Sequence, residues 1–207
     1  WLPDAAKEAT PATAVLLIGV LDKVGTFGMI RYLLPIFPAA SEFYAPMVIA
    51  LAVIGILYGA LVALGQTDMK RLFAYSSMSH FGFIVLGIFV FTSEGMSGAV
   101  IYMVAHGLST AALFIGASYM MKRRGGSALV SDYGGVTKVA PVLTGFVLFA
   151  VLSSLALPGL ASFIGEFLVL VGAFIRSVPL GIVATLGIVL AARSEEHTSE
   201  LQSRLHL

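Results

Sequence analysis

The sequence predicts an all-α polytopic membrane protein, and three observations carry that prediction. Of 207 residues, 58% are hydrophobic and only 11% are charged, against the ~25% charged residues of a soluble domain. Mean hydropathy is +0.98. Apolar runs of about twenty residues, the length a helix needs to cross a ~30 Å hydrocarbon layer, recur between short polar connections. The absence of cysteine excludes thiolate chemistry and cysteine-ligated clusters. A net charge of +1 is uninformative about nucleic acid, but no basic aromatic patch is present and no nucleic-acid partner is expected.

Residues 1–10 read as a polar entry loop. Thr10 before Pro11 is an N-cap followed by proline at the first helical position, and the first span then runs to about Phe37, where Pro35 and Pro38 end it. Span two is expected at 45–64, with Gly55 and Gly59 as a small-xxx-small pair admitting a close neighbour. A polar connection, Gln66 to Arg71, leads to span three at 72–92. Span four covers 97–121. The loop 122–138 carries Lys122, Arg123 and Arg124 with several glycines. The apolar stretch 139–175 is too long for one straight crossing and is expected to break at Leu157-Pro158-Gly159. A last span runs from 178 to 192, which makes about six transmembrane helices with one broken.

Counting 139–175 as one crossing, the loops 68–71 and 122–138 share a side and carry six Lys/Arg. The opposite connections carry only Arg176, so the positive-inside rule places the first set in the cytoplasm. Residues 193–207 are polar and begin abruptly. They resemble translated read-through of a sequencing adapter, so 1–192 is expected to be the membrane domain and 193–207 a non-native tail.

Four ionisable residues fall near the middle of their spans: Lys23, His80, His106 and Glu166. Lys23 lies about 16 Å along its helix from Ala12. A lysine at that depth costs about 2.5–3.5 kcal/mol on insertion scales, so such residues face other helices or internal water. Lys, His and Glu in a shared wet interior have protonated and deprotonated forms close in energy, which suits a proton wire. A broken helix would expose backbone polar groups beside Glu166, as transporters tolerate where the backbone lines a cavity. Asp22 adjoins Lys23, but neighbours on a helix point ~100° apart and pair awkwardly. Lys70 and Arg71 are expected to be structural residues of the cytoplasmic face and Arg31 an interface anchor. The Phe, Met and Tyr residues of spans two to four read as core or lipid-facing.

No phosphate-cradling loop, metal-ligand spacing or nucleophile–base pair is present; Gly125-Gly126 and Gly134-Gly135 lack the strand–turn–helix context of a nucleotide site.

Trp1-Leu-Pro-Asp-Ala5, Gln66-Thr-Asp-Met-Lys-Arg-Leu-Phe-Ala-Tyr-Ser-Ser-Met-Ser-His-Phe-Gly82 and His106-Gly-Leu-Ser-Thr-Ala-Ala-Leu-Phe114 resemble the antiporter-like subunits of respiratory complex I. Leu157-Pro-Gly-Leu-Ala-Ser-Phe-Ile-Gly-Glu-Phe167 resembles the chain M branch, the bacterial counterpart of mitochondrial subunit 4. The resemblance implies a fragment of a fourteen-helix proton-translocating subunit in a bacterial plasma membrane. By that resemblance Lys23 matches a lysine linking two half-channels, His80 and His106 the central hydrophilic axis, and Glu166 the terminal glutamate of a discontinuous helix. Sister chains and Mrp-type cation/proton antiporter subunits usually carry lysine at that last position. The family's other key glutamate and lysine would lie upstream, and the frequent histidine of the entry motif is replaced by Ala6. Cofactors are expected in partner subunits (NADH, flavin, iron–sulfur clusters and quinone) and none in this chain. Its expected partners are the neighbouring membrane subunits and the bilayer. An Mrp-type antiporter subunit, a membrane-bound hydrogenase arm and a purely structural membrane subunit are the competing readings.

Overall fold

The computed structural model describes residues 1–133 and 136–203, with side chains described up to Arg193. The expectation for Gly134-Gly135, and the end of the expected tail at 204–207, lie outside the described residues. Nine helices follow in order among them: α1 Leu2–Glu8, α2 Pro11–Ile36, α3 Pro38–Leu64, α4 Met69–Phe89, α5 Ser93–Arg123, α6 Val136–Val139, α7 Pro141–Ser154, α8 Ala161–Arg176 and α9 Val178–Ser203. Helices α2 to α5 are each long and apolar enough to cross a membrane. The α7–α8 pair and α9 complete the expected set of about six.

Several boundaries differ from expectation. Residues 2–8 form a helix instead of a loop, because Ala6 is fully buried and the turn is tied to α4. Arg71 Nη2 reaches Asp4 Oδ1 at 2.8 Å, and Lys70 Nζ donates to the carbonyls of Lys7 and Ala9 at 2.9 and 3.0 Å. The expected loop 38–44 is the start of α3. Pro38 occupies its first turn, where the missing N–H costs nothing, and Phe37 (φ −126°, ψ 58°) makes the corner. Helix α4 begins at Met69, capped by Asp68 accepting from Arg71 N at 3.0 Å. Helix α5 begins at Ser93, capped by Thr92 accepting from Gly95 N at 3.1 Å. Thr10 caps α2 as expected. Helix α9 continues beyond Ala192 to Ser203.

The break in the 139–175 stretch is present and starts slightly earlier than Leu157. Leu157 N–H returns to Leu152 O at 3.4 Å and Ala156 N–H to Ser153 O at 3.2 Å. This is the paired bonding that ends a helix with a left-handed residue. That residue is Ala156, at φ 51°, where glycine is usual.

Helix α4 is the centre of the described molecule. It packs between α3 and α5, with α8 across α5 and α9 against α3 and α8. Of the expected glycine pair, only Gly59 makes a close approach, with backbone of Ser79 and Tyr75 about where a Cβ would stand (2.8 and 3.0 Å). Gly55 faces open space, and Gly82 of α4 supplies the second contact, against Ala52 O and Ile56. The connection 66–71 and the loop after α5 lie together, through Met69 N to Ala128 O and Val130 N to Thr67 O, both 2.9 Å. With α1 tied to Lys70 and Arg71, the basic segments share one end of the bundle.

The core divides into two apolar clusters. The one nearer that basic end holds Ile18, Leu72, Phe73, Phe114 and Val147. The other holds Ile56, Phe83, Leu86, Tyr102 and Val169. On α4 and α5, most of the buried side chains between these clusters are polar.

Candidate functional site

The polar layer follows from where each helix changes character. On α4, Leu72–Ala74 belong to one cluster and Phe83–Val90 to the other; between them lie Ser76, Ser77, Ser79 and His80, all buried. On α5, Tyr102 precedes and Leu113 follows the buried His106, Ser109 and Thr110. Residues at i and i+4 share a helix face. Ser76 and His80 therefore point the same way, as do Tyr102 and His106, and the two pairs meet.

Their contacts are specific. Tyr102 OH lies 2.5 Å from His80 Nδ1, and Ser76 Oγ is 3.4 Å from His80 Nε2. Ser77 Oγ lies 3.0 Å from His106 Nε2. The imidazoles are 5.4 Å apart between centroids and tilted by 49°. The Tyr102 ring stands 5.9 Å from His80 and 6.2 Å from His106. Both histidines are almost wholly buried, at 3% and 2% exposure. His106 Nδ1 makes no hydrogen bond with the described residues, which leaves one nitrogen of the pair uncommitted.

Lys23 enters from α2. That helix is not a regular α-helix, since Val15–Leu21 and Met29–Leu33 adopt wide π-helical turns. Such turns mark functional sites more often than chance. Lys23 Nζ donates to the carbonyl of Ile18, within the wide turn, at 2.6 Å. The pair with Asp22 exists, but is long at 3.5 Å, as expected for adjacent residues. Gly19 and Gly107 bring α2 and α5 together: a Cβ on Gly107 would stand 2.8 Å from Gly19 O and 3.9 Å from Lys23 Cε. Lys23 is thus held beside the residue that follows His106.

Glu166 enters from the opposite side, on the second turn of α8 after the break, and is 5% exposed. Its neighbour Gly165 lies on the backbone of Tyr102, where a Cβ would meet Tyr102 Cβ, Cα and N at 2.7–2.9 Å. Lys23 thus lies beside the turn of His106, the two imidazoles are neighbours, and Glu166 follows the glycine packed on Tyr102, the residue bonded to His80. Arg31 is exposed, whereas Lys70 and Arg71 hold α1.

Sequence reasoning missed Tyr102, Ser76 and Ser77. Tyr102 read as core or lipid-facing and is instead bonded to His80. The available signal was its i, i+4 spacing to His106, matched by Ser76 and His80 on the facing helix.

A family model described as NADH:quinone oxidoreductase/Mrp antiporter, transmembrane, matches residues 1–191. The chain belongs to this family. Among relatives of the NADH:quinone oxidoreductase/Mrp antiporter family, NADH-quinone oxidoreductase subunit M of Mycobacterium tuberculosis is 59% identical over 176 residues, 85% of this chain and 32% of the relative. NADH-ubiquinone oxidoreductase chain 4 of Marchantia polymorpha is 41% identical over 194 residues, 93% and 39% of the respective lengths. The expected likeness to the chain M branch is borne out. The chain spans about a third to two-fifths of the length of these relatives. A chain of respiratory complex I from Thermus thermophilus with bound NADH superposes with a TM-score of 0.91 at 33% identity, covering 100% of this chain and 44% of that one. A chain of the Mrp complex from Dietzia sp. superposes at 0.89 and 22% identity, covering 98% and 38%, and shows the shared fold.

Proposed function

We propose that this chain is part of a proton-translocating membrane subunit of an NADH-quinone oxidoreductase, in a bacterial plasma membrane, and that Lys23, His106, His80 and Glu166 carry protons laterally through the layer between the two apolar clusters. The observation that supports the reading is the buried polar cluster between the two apolar ones: His80 and His106 are neighbours, Tyr102 and Ser77 bond to them across α4 and α5, and Ser76 bonds to His80 within α4. Burial of several polar side chains in a bilayer-spanning bundle is costly unless they serve one another or a passing charge. Lys23 receives protons at one end, the histidines pass them on, and Glu166 governs exchange at the other.

Redox chemistry belongs to partner subunits, which hold the NADH, flavin, iron–sulfur and quinone sites; this chain converts their signal into proton movement. One charge crossing 100 mV is worth about 2.3 kcal/mol, and a pKa displacement of a unit is worth about 1.36 kcal/mol. Modest changes around buried Lys, His and Glu therefore match the energy handled. The domain is taken as 1–192, with 193–207 left outside it, and the basic end of the bundle as cytoplasmic.

In the complete subunit assembled with its partners, Glu166→Gln or Lys23→Ala should lower proton pumping and coupled quinone reduction at least about tenfold, with assembly intact. Acidification of sealed vesicles, read with a pH-sensitive dye, measures it. Normal pumping with either change defeats the relay. Loss of assembly in place of pumping returns the residues to a purely structural role.

A further inference from the structure

The proposed relay uses ionisable residues alone, yet a short contact at its centre belongs to a residue it does not use. Tyr102 OH sits 2.5 Å from His80 Nδ1, in a site where the phenol is 1% exposed. The hydroxyl of Ser76 is at 3.4 Å from the other ring nitrogen, so the bond at Nδ1 is the stronger of the two by distance. A neutral imidazole carries one N–H, and the bond made by one nitrogen decides which tautomer is held. A phenol donating to Nδ1 leaves the proton on Nε2. Tyr102 is also one of the residues on which α8 packs, through Gly165, one position before Glu166. It therefore touches the helix of the terminal carboxylate through its backbone and the histidine pair through its hydroxyl.

We infer that Tyr102 is a positioning residue of the proton path: its phenol donates to His80 Nδ1, holds that ring as the Nε2–H tautomer, and couples the ring's setting to the seating of the Glu166 helix. The inference rests on the relay reading. The groups that face His80 include Tyr102 and His106 from α5 and Ser76 from its own helix, and the proposed relay adds Lys23 on α2 and Glu166 on α8 as its ionisable residues.

The test uses the complete subunit in its assembled complex. Tyr102→Phe keeps the Cβ and backbone that pack on Gly165 and removes only the hydroxyl. Pumping rate across pH is measured for the parent, Tyr102→Phe, His80→Ala and the double variant. Tyr102→Phe is expected to lower pumping roughly three- to tenfold, the scale of one buried hydrogen bond, and to move the pH profile. The same change made on His80→Ala should add no further loss, because Tyr102 acts through His80. A ring-fluorinated tyrosine at 102 keeps volume and hydroxyl but has a more acidic phenol. It should shift the pH profile without altering assembly, and it serves equally if the phenylalanine variant assembles poorly. An unchanged rate and profile for both Tyr102 variants, with His80→Ala and Glu166→Gln defective, overturns the role of Tyr102 and leaves the relay standing. Full activity of His80→Ala and Glu166→Gln overturns both. Additive losses in the double variant overturn the action through His80.

Discussion

Helices α2 and α4 are both long enough to span a bilayer, yet they are built in opposite ways. Within their most apolar stretches, α4 is 83% buried and α2 only 17%. Helix α4 is a regular α-helix enclosed by α3, α5 and α8, and it holds His80 by contacts on several sides. Helix α2 touches the rest mainly along Ala14, Ile18 and Gly19, while Leu16, Val20, Leu21, Val24 and Phe27 face outward. Two π-helical turns interrupt it, and its lysine is steadied by its own helix's Ile18 carbonyl. The enclosed helix fixes its titratable group through neighbours. The peripheral one does so through its own backbone, which leaves Lys23 freer to change partner, a useful property where charge is admitted.

The comparison is broken most severely at glycines. A Cβ on Gly98 of α5 would stand 2.7 Å from Val169 N and 2.8 Å from Gly165 O, backbone that cannot yield. Gly98→Leu should therefore abolish assembly of the complete subunit, detected by native gel or by loss of the complex from the membrane. Gly25→Ala on α2 meets nothing within 4 Å and should assemble normally. Equal tolerance at both sites would show the two environments to be alike.

A smaller but sharper effect is expected from backbone register. Deleting the exposed Val20 removes the surplus residue of a wide turn and rotates Lys23 by about 100° relative to the preceding contacts. Pumping should fall several-fold with assembly retained. The matching deletion of Ile84 in α4 should prevent assembly, because the Ile84 side chain is fully buried. Pumping that survives the Val20 deletion would mean that the π turn does not aim Lys23.

The smallest effect concerns the break between α7 and α8. Ala156 occupies the left-handed region at φ 51°, which costs a residue with a Cβ roughly 1–2 kcal/mol. Ala156→Gly should leave pumping intact and raise thermal stability by about 1 kcal/mol in a detergent melt. A destabilised variant would point instead to lost packing of the 9%-exposed methyl group.

Depth was legible in the sequence. Each residue of a helix advances about 1.5 Å, so the spacing of Lys23, His80, His106 and Glu166 from their span starts already put them well inside their spans. The break was legible from Leu157-Pro158-Gly159, and the Thr10 cap from the proline that follows it. Helix starts at Pro38, Met69 and Ser93 were expected several residues too late, because polar and aromatic first turns sit at the membrane edge and blur the boundary that hydropathy draws.

Rotation was not legible. These helices are apolar nearly all round, and in a bilayer the lipid-facing side is as apolar as the packed side. Gly55 and Gly59 thus looked alike, although only Gly59 meets a neighbour, and Tyr102 looked like any other membrane tyrosine. By itself, the sequence determined an all-α membrane protein, its broken helix and the placing of four ionisable residues well inside their spans, since these depend on composition and distance along each axis. The tertiary structure decided that Tyr102 and Ser77 join the histidines, that Lys23 leans on Ile18, and that the basic segments gather at one end. Those facts depend on how separate helices turn toward one another, and side chains far apart in the chain settle that only when they pack.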